Sequence, residues 1–198
     1  MMDKRVLYLH VRSLQKLGFL HLKGRELHHA LSQYKFSVLS SILDVSVTAD
    51  AVQYSKRGKP YLKNYPKLAF NVSHSKTHYA LALSLSAGAI GIDIETKGRS
   101  IKEAHWAKIL SPEELKLKEQ GTDPITFWVQ KESFLKLLGR GIWVHLPEVS
   151  FSPPVIDQAG FIKTAFNNLS CYALPFNFDN QISVVFYTGA KVDKWIWC

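Results

Sequence analysis

The stretch Gly91-Ile92-Asp93-Ile94-Glu95 is the part of the chain around which the rest is organised. Apolar and acidic residues alternate in it, and a period of two is the side-chain period of a β-strand. On such a strand Asp93 and Glu95 project from one face, while Ile92 and Ile94 enter the core on the other. Gly91 has no side chain, which indicates that a ligand or another backbone comes close there. We therefore predict a strand buried on one face that presents two carboxylates on the other.

Two neighbouring carboxylates repel each other, so we expect a positive group between Asp93 and Glu95. Hard oxygen ligands of this kind suit Mg²⁺ or Mn²⁺. The alternative is an ordinary amphipathic strand with its polar face in water, which is what a lone D-x-E pattern more often means. The pattern alone does not decide between the two, and the choice depends on the rest of the chain.

Composition limits the class of protein. The chain has 198 residues, of which 46% are hydrophobic and 12% aromatic, which is enough for one large domain or two small ones. A formal charge of +9 favours anionic partners: nucleic acid, phosphorylated cofactors or acidic proteins. The two cysteines, Cys171 and Cys198, exclude a disulfide framework and suit a cytoplasmic protein. We expect neither a signal peptide nor a membrane span, because only Val6 to Leu9 form an apolar run near the N-terminus.

The first part of the chain predicts a buried strand from Arg5 to Val11 and then a helix that ends near Asp44. Lys35 lies beside the apolar stripe of that helix, where a lysine is usually solvated. The turn from Lys56 to Tyr61 gathers three cations about a glycine and a proline. Such a turn can aim cations at phosphates, although basic turns are mostly solvated surface.

The segment Phe70-Asn71-Val72-Ser73-His74-Ser75 carries neutral hydrogen-bond donors and a histidine, which together can hold phosphate oxygens. A catalytic triad is not expected here, because no G-x-S-x-G elbow surrounds the serine. The alternating run from Tyr79 to Ser86 predicts a strand, and residues 87–89 predict a turn into the strand of Asp93 and Glu95. We interpret this as a β-hairpin that brings the donors and the carboxylates to one edge of a sheet.

Helices are predicted beyond Gly98. Two capping boxes, Ser100 with Glu103 and Ser111 with Glu114, indicate helix starts. A third helix is expected from about Asp123 to Gly139, with the glycine in the position that follows a helix C-terminus.

Glu132 and Lys136 lie one turn apart on the flank of the apolar arc of this third helix. A surface ion pair worth about 0.2–0.5 kcal/mol is the simpler interpretation of that spacing. Lys131, however, falls in the middle of the arc, so its ammonium group must reach water, find a buried partner or line a cleft. The helix is therefore predicted to border a pocket.

The remainder of the chain predicts antiparallel sheet, with strand-like runs separated by Pro-Pro, Asn-Asn and Asp-Asn turns. The runs are Val144 to Phe151, Phe161 to Phe166, Ser170 to Phe176, Gln181 to Tyr187 and Lys191 to Trp197.

Four motifs in order carry a resemblance to a known family. They are G-K-P at 58–60, F-N-x-S-H-S at 70–75, G-I-D-I-E at 91–95 and F-W-x-x-K-E-S-x-x-K-x-x-G-x-G at 127–141. This set resembles the surfactin-type (group II) 4′-phosphopantetheinyl transferases. Each motif is weak alone, but their order and spacing make the resemblance specific.

The resemblance implies an α/β (α+β) fold of two similar halves related by a pseudo-twofold axis, residues 1–90 and 91–198, with coenzyme A in the cleft between them. It implies transfer of the phosphopantetheine arm of coenzyme A to a serine of an apo acyl or peptidyl carrier protein. The by-product would be adenosine 3′,5′-bisphosphate.

The resemblance also implies residue roles. Asp93, Glu95 and Glu132 would hold Mg²⁺ (or Mn²⁺), and Glu132 would also be placed to take the proton of the carrier serine. The implied catalytic residues are Glu132, Lys136 and His74, and the implied coenzyme-binding residues are Lys35, Arg57, Lys59, Pro60, Asn71, Ser73, His74, Asp93 and Lys136.

Carrier proteins of this kind are usually acidic, so the charge of +9 favours the encounter. We expect a cytoplasmic monomer that binds neither nucleic acid nor a membrane. Two alternatives remain: a metal-dependent phosphoesterase that uses the same acids with water as nucleophile, and a non-catalytic basic module that binds nucleic acid.

Overall fold

A computed structural model describes residues 6–85, 88–139, 144–152, 160–164, 169–189 and 191–198, with the backbone alone at 152 and 160–164. Several residues used in the sequence predictions lie outside these ranges: Arg5, Ser86, Ala87, Gly141, Phe166 and the Pro-Pro and Asn-Asn turns at 153–154 and 167–168.

The described residues form a mixed α+β fold, as predicted. The helices are α1 (Gly24–Leu43), α2 (Glu103–Trp106), α3 (Pro112–Glu119) and α4 (Ile125–Leu138). The strands are β1 (Val6–Ser13), β2 (Val52–Tyr54), β3 (Pro60–Leu62), β4 (Ala69–His74), β5 (His78–Ser84), β6 (Ile90–Thr96), β7 (Phe151–Ser152), β8 (Gly160–Thr164), β9 (Ser170–Phe178), β10 (Gln181–Tyr187) and β11 (Lys194–Trp197).

Two sheets build the molecule. The first has the order β11-β1-β5-β4 and the second has the order β6-β10-β9-β8-β7, while β2 and β3 form a small ribbon. One apolar cluster lies between the two sheets and includes Leu9, Ile92, Ile94 and Val185. A second lies under α1 and a third under α4. The layers therefore run from α1 through the two sheets to α4, and the predicted core face of Ile92 and Ile94 is confirmed.

The predicted hairpin of β5 and β6 is wrong. β5 pairs with β1 and β4, whereas β6 pairs antiparallel with β10 in the other sheet. The chain between them passes from one sheet to the other, because each strand has an apolar face that must be covered and the stacked sheets cover each other.

The edge strands β4 and β6 of the two sheets are joined by side chains. Asn71 Oδ1 of β4 accepts a hydrogen bond from the backbone N–H of Ile92 at 3.0 Å. Two residues further along β4, Ser73 Oγ donates to Asp93 Oδ1 at 2.7 Å. The donors and carboxylates predicted to share one sheet edge thus meet across two edges.

The helix boundaries confirm most of the sequence signals. α1 ends before Asp44, which adopts a left-handed conformation with φ 52°, and α4 ends before Gly139 with φ 61°. Ser111 and Glu114 form the predicted capping box of α3. The box predicted at Ser100 is wrong, because Lys102 occupies the N-cap of α2 and no side chain caps it.

The strand predicted over Val144 to Phe151 is largely wrong. A 3₁₀ turn occupies Leu146–Glu148, and only Phe151 lies in a strand. The reason lies in α4: the buried ammonium group of Lys131 donates to the backbone carbonyls of Leu146 and Val149, at 2.9 and 2.8 Å, and these two hydrogen bonds hold the segment in a turn.

β11 comes from the second half of the sequence, but it pairs in parallel with β1 in the first sheet. The division at residue 90 and the pseudo-twofold axis stay predictions. Among the described helices, none has both the length and the apolar composition that crossing a bilayer needs.

Candidate active site

Helix α4 packs so closely on β6 at Gly91 that a side chain at this position would clash with the backbone of the helix. A Cβ placed on Gly91 would lie 2.1 Å from the carbonyl oxygen of Ser133 and 2.4 Å from the amide nitrogen of Leu137. The hydroxyl group of Ser133 donates to the carbonyls of Gly91 and Val184, at 3.0 and 2.8 Å. The prediction of a close backbone approach at Gly91 is confirmed, and the approach fixes α4 beside the carboxylates of β6.

Polar side chains from two other elements, β4 and α4, contact Asp93 of β6, which is 7% exposed. Lys136 Nζ lies 2.6 Å from Asp93 Oδ1 and 2.8 Å from Ser73 Oγ. The Ser73 hydroxyl group itself donates to Asp93 Oδ1. A positive group is therefore present at Asp93 and comes from α4, but it does not lie between Asp93 and Glu95 as predicted, because Glu95 has its own cation, Arg99.

Glu132 of α4 belongs to the same cluster. Burial raises the pKa of its carboxyl group, the charge of Asp93 raises this pKa further, and Lys136 opposes both. The buried Oε1 atom of Glu132 has no hydrogen-bond partner among the described residues. A buried carboxylate oxygen without a partner is costly, so this atom is available for a cation or a proton.

Glu95 is held away from this cluster. Its Oε2 forms an ion pair with Nη1 of Arg99, and its Oε1 accepts from the backbone N–H of Thr96 at 2.8 Å. Within the described ranges, no three histidine, cysteine or acidic side chains are gathered closely enough to hold a metal ion. As placed here, Asp93 and Glu132 are neighbours, whereas Glu95 would have to leave Arg99 to join them.

A cavity of about 610 Å³ opens between the basic turn and the end of α4. Three of the predicted coenzyme residues, Arg57, Lys59 and Pro60, line it. The other lining residues are Ser55, Lys56, Tyr61, Pro66, Leu68, Ala69, Phe70, Gly88, Ala89, Leu137, Leu138 and Gly139. Its volume lies within the usual range of small-molecule sites, about 300–1,000 Å³.

Sequence comparisons give the family. The profile of the 4′-phosphopantetheinyl transferase superfamily matches residues 89–177. A 4′-phosphopantetheinyl transferase of Bacillus subtilis is 39% identical over 132 residues, which cover 63% of this chain and 56% of that protein. The transferases ffp of Bacillus subtilis and Sfp of Bacillus subtilis strain 168 are 30% and 28% identical over 198 residues, each covering 83% of this chain and 85% of the relative.

The chain belongs to the 4′-phosphopantetheinyl transferase superfamily. The surfactin-type resemblance drawn from the four motifs is thereby confirmed. Family members use coenzyme A and act on carrier proteins, and this chain is a transferase of that kind.

Within this transferase, the structure places the predicted residues in three groups. Ser73, Asp93, Glu132 and Lys136 lie together, with Asn71 beside them on β4. Arg57, Lys59 and Pro60 line the cavity. Glu95, His74 and Lys35 lie outside both groups.

Lys35 differs from the expectation of a solvated lysine. It is 5% exposed, and its ammonium group lies 4.8 Å from the ring centre of Phe36 and 3.5 Å from the hydroxyl group of Tyr54. His74, by contrast, is exposed at the end of β4, where its Nδ1 lies 3.2 Å from the carbonyl of Ser75. Their coenzyme roles stay predictions.

Two contacts of the transferase were not predicted from its sequence. Arg99 as partner of Glu95 had no sequence signal, because the i,i+4 rule holds on helices and Glu95 lies on the strand β6. The partner of Lys131 is Glu114 Oε2 at 2.7 Å, and the sequence marked Glu114 only as a capping residue. The predicted alternatives for Lys131 included a buried partner, and that one is correct.

Proposed function

We propose that this transferase moves the phosphopantetheine arm of coenzyme A to the serine of an acidic acyl or peptidyl carrier protein and releases adenosine 3′,5′-bisphosphate. The observation that carries the proposal is the meeting of Ser73, Asp93, Glu132 and Lys136 next to a cavity with a basic rim.

In this reaction the serine oxygen forms a bond to the phosphorus that bears the pantetheine arm. The bond from that phosphorus to the bridging oxygen of the diphosphate breaks, and the oxygen leaves with the nucleotide. Such a displacement depends on in-line positioning and on neutralising the phosphate charge. Lys136 is placed for the second task, because its ammonium group is held at the mouth of the acidic cluster with a side chain that is 29% exposed.

A divalent cation fits the residues that are present. Asp93 and Glu132 supply two neighbouring carboxylates. The buried Oε1 of Glu132 has no hydrogen-bond partner among the described residues, so it can coordinate a cation. In our proposal these two residues hold Mg²⁺, with Mn²⁺ as a substitute, and Glu95 is the third acid that can join them. When bound, the ion would neutralise the diphosphate and the leaving oxygen.

Glu132 also suits the role of general base. The pKa of Glu132 is raised toward neutral pH, and a general base works best when its pKa lies near the pH at which the enzyme operates. We propose that Glu132 takes the hydroxyl proton of the carrier serine, directly or through water. His74 stands at the end of the strand that carries Ser73 and is proposed to contact the coenzyme phosphates.

The cavity between Arg57 and Leu138 is proposed to hold the nucleotide part of coenzyme A. Lys56 and Arg57 are exposed cations at its rim, and guanidinium and ammonium groups pair strongly with phosphates. Tyr61, Pro60 and Phe70 give it apolar walls. Lys35, buried behind Tyr54, is proposed to add positive potential from the helix side.

The carrier protein is proposed to be recognised by charge. A protein with a formal charge of +9 attracts an acidic partner over long range and raises the association rate at low salt. Two free thiols, Cys171 and Cys198, suit a reducing compartment. We propose a cytoplasmic monomer that acts without nucleic acid or membrane.

The test is to incubate the protein with coenzyme A, Mg²⁺ and an apo carrier protein, and to follow the mass of the carrier and the coenzyme products. A phosphopantetheine mass gain on the carrier serine, with release of adenosine 3′,5′-bisphosphate, is the expected result. Hydrolysis of coenzyme A with an unmodified carrier would establish the phosphoesterase instead. The variant Glu132→Gln is the matched control and is expected to give neither product.

A further inference from the structure

Lys59 differs from the other cations of the basic turn, because its side chain reaches α4. Its ammonium group donates to the backbone carbonyl of Leu137 at 2.7 Å. Its aliphatic stem packs against Gly139, where a Cβ would lie 3.4 Å from Cδ of Lys59. Lys59 is half-buried, whereas Lys56 and Arg57 are exposed.

The carbonyl that Lys59 contacts lies at the C-terminal end of α4. Leu137 lies in the last turn of α4, where helix carbonyls lack an intrahelical partner and the helix dipole is negative. A cation that donates to such a carbonyl stabilises the helix end. The ammonium group of Lys59 is therefore hydrogen-bonded to a helix carbonyl that stabilises its positive charge, and it is not simply solvated.

The same helix end carries the reacting groups. Lys136 directly precedes Leu137, and its ammonium group contacts Asp93 and Ser73. Glu132 lies about one turn earlier. A shift of the last turn of α4 would move Lys136 away from Asp93, so whatever fixes the carbonyl of Leu137 also fixes the cluster.

The turn that carries Lys59 is itself ordered. The backbone N–H of Ser55 donates to the carbonyl of Lys59 at 2.9 Å, and the N–H of Lys59 donates to Ser55 Oγ at 3.1 Å. Gly58 adopts φ 81° within it, a left-handed conformation that glycine tolerates. The turn can therefore act as a firm anchor for the helix.

We propose that Lys59 is a positioning residue that ties the basic turn at 55–59 to the last turn of α4, and so holds Lys136 and Glu132 in place. This inference rests on the transferase function proposed above, and it reassigns Lys59 from the coenzyme contact that the family resemblance implied. Lys56 and Arg57 are then the cations of the turn that meet the coenzyme phosphates.

The hydrogen bond from Lys59 to Leu137 predicts that the activity depends on pH. Burial alone lowers the pKa of Lys59 to about 8. The charged groups that line the cavity with Lys59 are Lys56 and Arg57 of its own turn, and Tyr61 of β3 adds a phenol. The lining residues from α4, from β4 and from 88–89 carry no charge. Below pH 8 the ammonium group holds the helix carbonyl, and above it the charge that strengthens this bond is lost.

The experiment compares Lys59→Met, Lys59→Arg and Lys56→Met in the full chain, with apo carrier protein saturating and coenzyme A varied. Lys59→Met is expected to lower kcat by about 10- to 100-fold, the size of effect that follows from a misplaced catalytic group, with little change in KM. Lys56→Met is expected to raise KM for coenzyme A and to leave kcat unchanged. Circular dichroism and thermal melting establish that each variant is folded.

The pH profile separates positioning from mere stability. In the wild type, kcat/KM for coenzyme A is expected to fall as the pH rises through about 8. Lys59→Arg keeps a permanent charge, so it should retain activity and lose this fall. A Lys59→Met variant that raises KM at unchanged kcat, or a Lys59→Arg variant that still shows the fall, would overturn the inference.

A second measurement does not depend on activity. Without coenzyme, amide hydrogen exchange in residues 134–139 should be faster in Lys59→Met than in the wild type and in Lys56→Met. If the wild type transfers nothing to any carrier while this difference is seen, the proposed function fails and the positioning contact stands. Equal exchange in the three proteins would overturn the contact even if the wild type is active.

Discussion

The carbonyl oxygen of Ser133 in α4 lies 2.1 Å from the position that a Cβ of Gly91 in β6 would occupy. Backbone atoms in a packed helix and strand do not yield as a flexible side-chain tip does. The contact therefore sets the distance from β6 to α4, and with it the separation of Asp93 from Glu132 and Lys136.

Replacing Gly91 with alanine is expected to destabilise the protein by more than about 3 kcal/mol, above the usual range for overpacking, because α4 must lift off the strand. Urea denaturation gives the free energy of unfolding. Gly98→Ala is the matched control: its φ is 64° and nothing lies within 4 Å of the added Cβ, so backbone strain of about 1–2 kcal/mol is all it should cost. Equal losses in the two variants would show that the close approach is not what requires Gly91.

Glu132→Gln is expected to abolish transfer and also to raise the melting temperature at neutral pH. The pKa of Glu132 is higher in the folded protein than in the unfolded chain, so the folded state loses stability as the pH rises through the raised pKa. Glutamine removes that loss. A gain of about 2–4 °C, the shift produced by about 1 kcal/mol in a chain of this size, should appear at pH 7 and shrink in acid, where Glu132 is protonated.

The same pair of proteins reports on the metal. Added Mg²⁺ should raise the melting temperature of the wild type, because an ion bound only by the folded state stabilises it, and should not raise that of Glu132→Gln. An equal response of both proteins to Mg²⁺ would remove Glu132 from the set of ligands.

Arg99→Met is expected to lower the Mg²⁺ concentration that gives half-maximal activity. Arg99 neutralises Glu95, so its removal leaves the acids of β6 more negative and frees Glu95 to join Asp93. Titration of activity with Mg²⁺ measures this, and calorimetric titration of Mg²⁺ measures it without turnover. A higher Mg²⁺ requirement in the variant would mean that Arg99 instead orients Glu95 for binding.

Lys131→Met is expected to destabilise the protein by about 3–5 kcal/mol, because it leaves the buried Glu114 carboxylate without its partner. The carbonyls of Leu146 and Val149 lose their donor as well. Adding Glu114→Gln should restore part of the loss, since no buried charge then remains. Lys118→Met, which breaks the exposed pair with Glu103, should cost less than about 1 kcal/mol in the same denaturation experiment.

Local patterns predicted most elements of this fold. Alternation predicted β6 and its core face, and the Ser111 box and Gly139 predicted where two helices begin and end. The helix predicted to begin at Ser100 begins instead after Lys102. The strand predicted at 144–151 failed because a tertiary contact overrode the local signal: the buried Lys131 donates to the carbonyls of Leu146 and Val149.

The candidate site was predicted in its residue types but not in its pairings. Sequence spacing cannot show that Lys136 reaches Asp93, that Arg99 holds Glu95 or that Lys59 faces a helix carbonyl, since each depends on how two sheets and a helix pack. The β5 to β6 hairpin failed for the same reason: neighbours in sequence were assigned to one sheet, and the chain changes sheets between them.

The parallel pairing of β11 with β1 limits how early the first sheet can be completed during synthesis. Val6 to Leu9 align with Lys194 to Trp197, so the chain as far as β11 must leave the ribosome before the first strand gains its neighbour on that side. Long-range parallel contacts form slowly, and a nascent sheet with an uncovered edge is prone to associate with other chains. Synthesis of this enzyme should therefore depend on chaperones that shield the N-terminal sheet until β11 has been made.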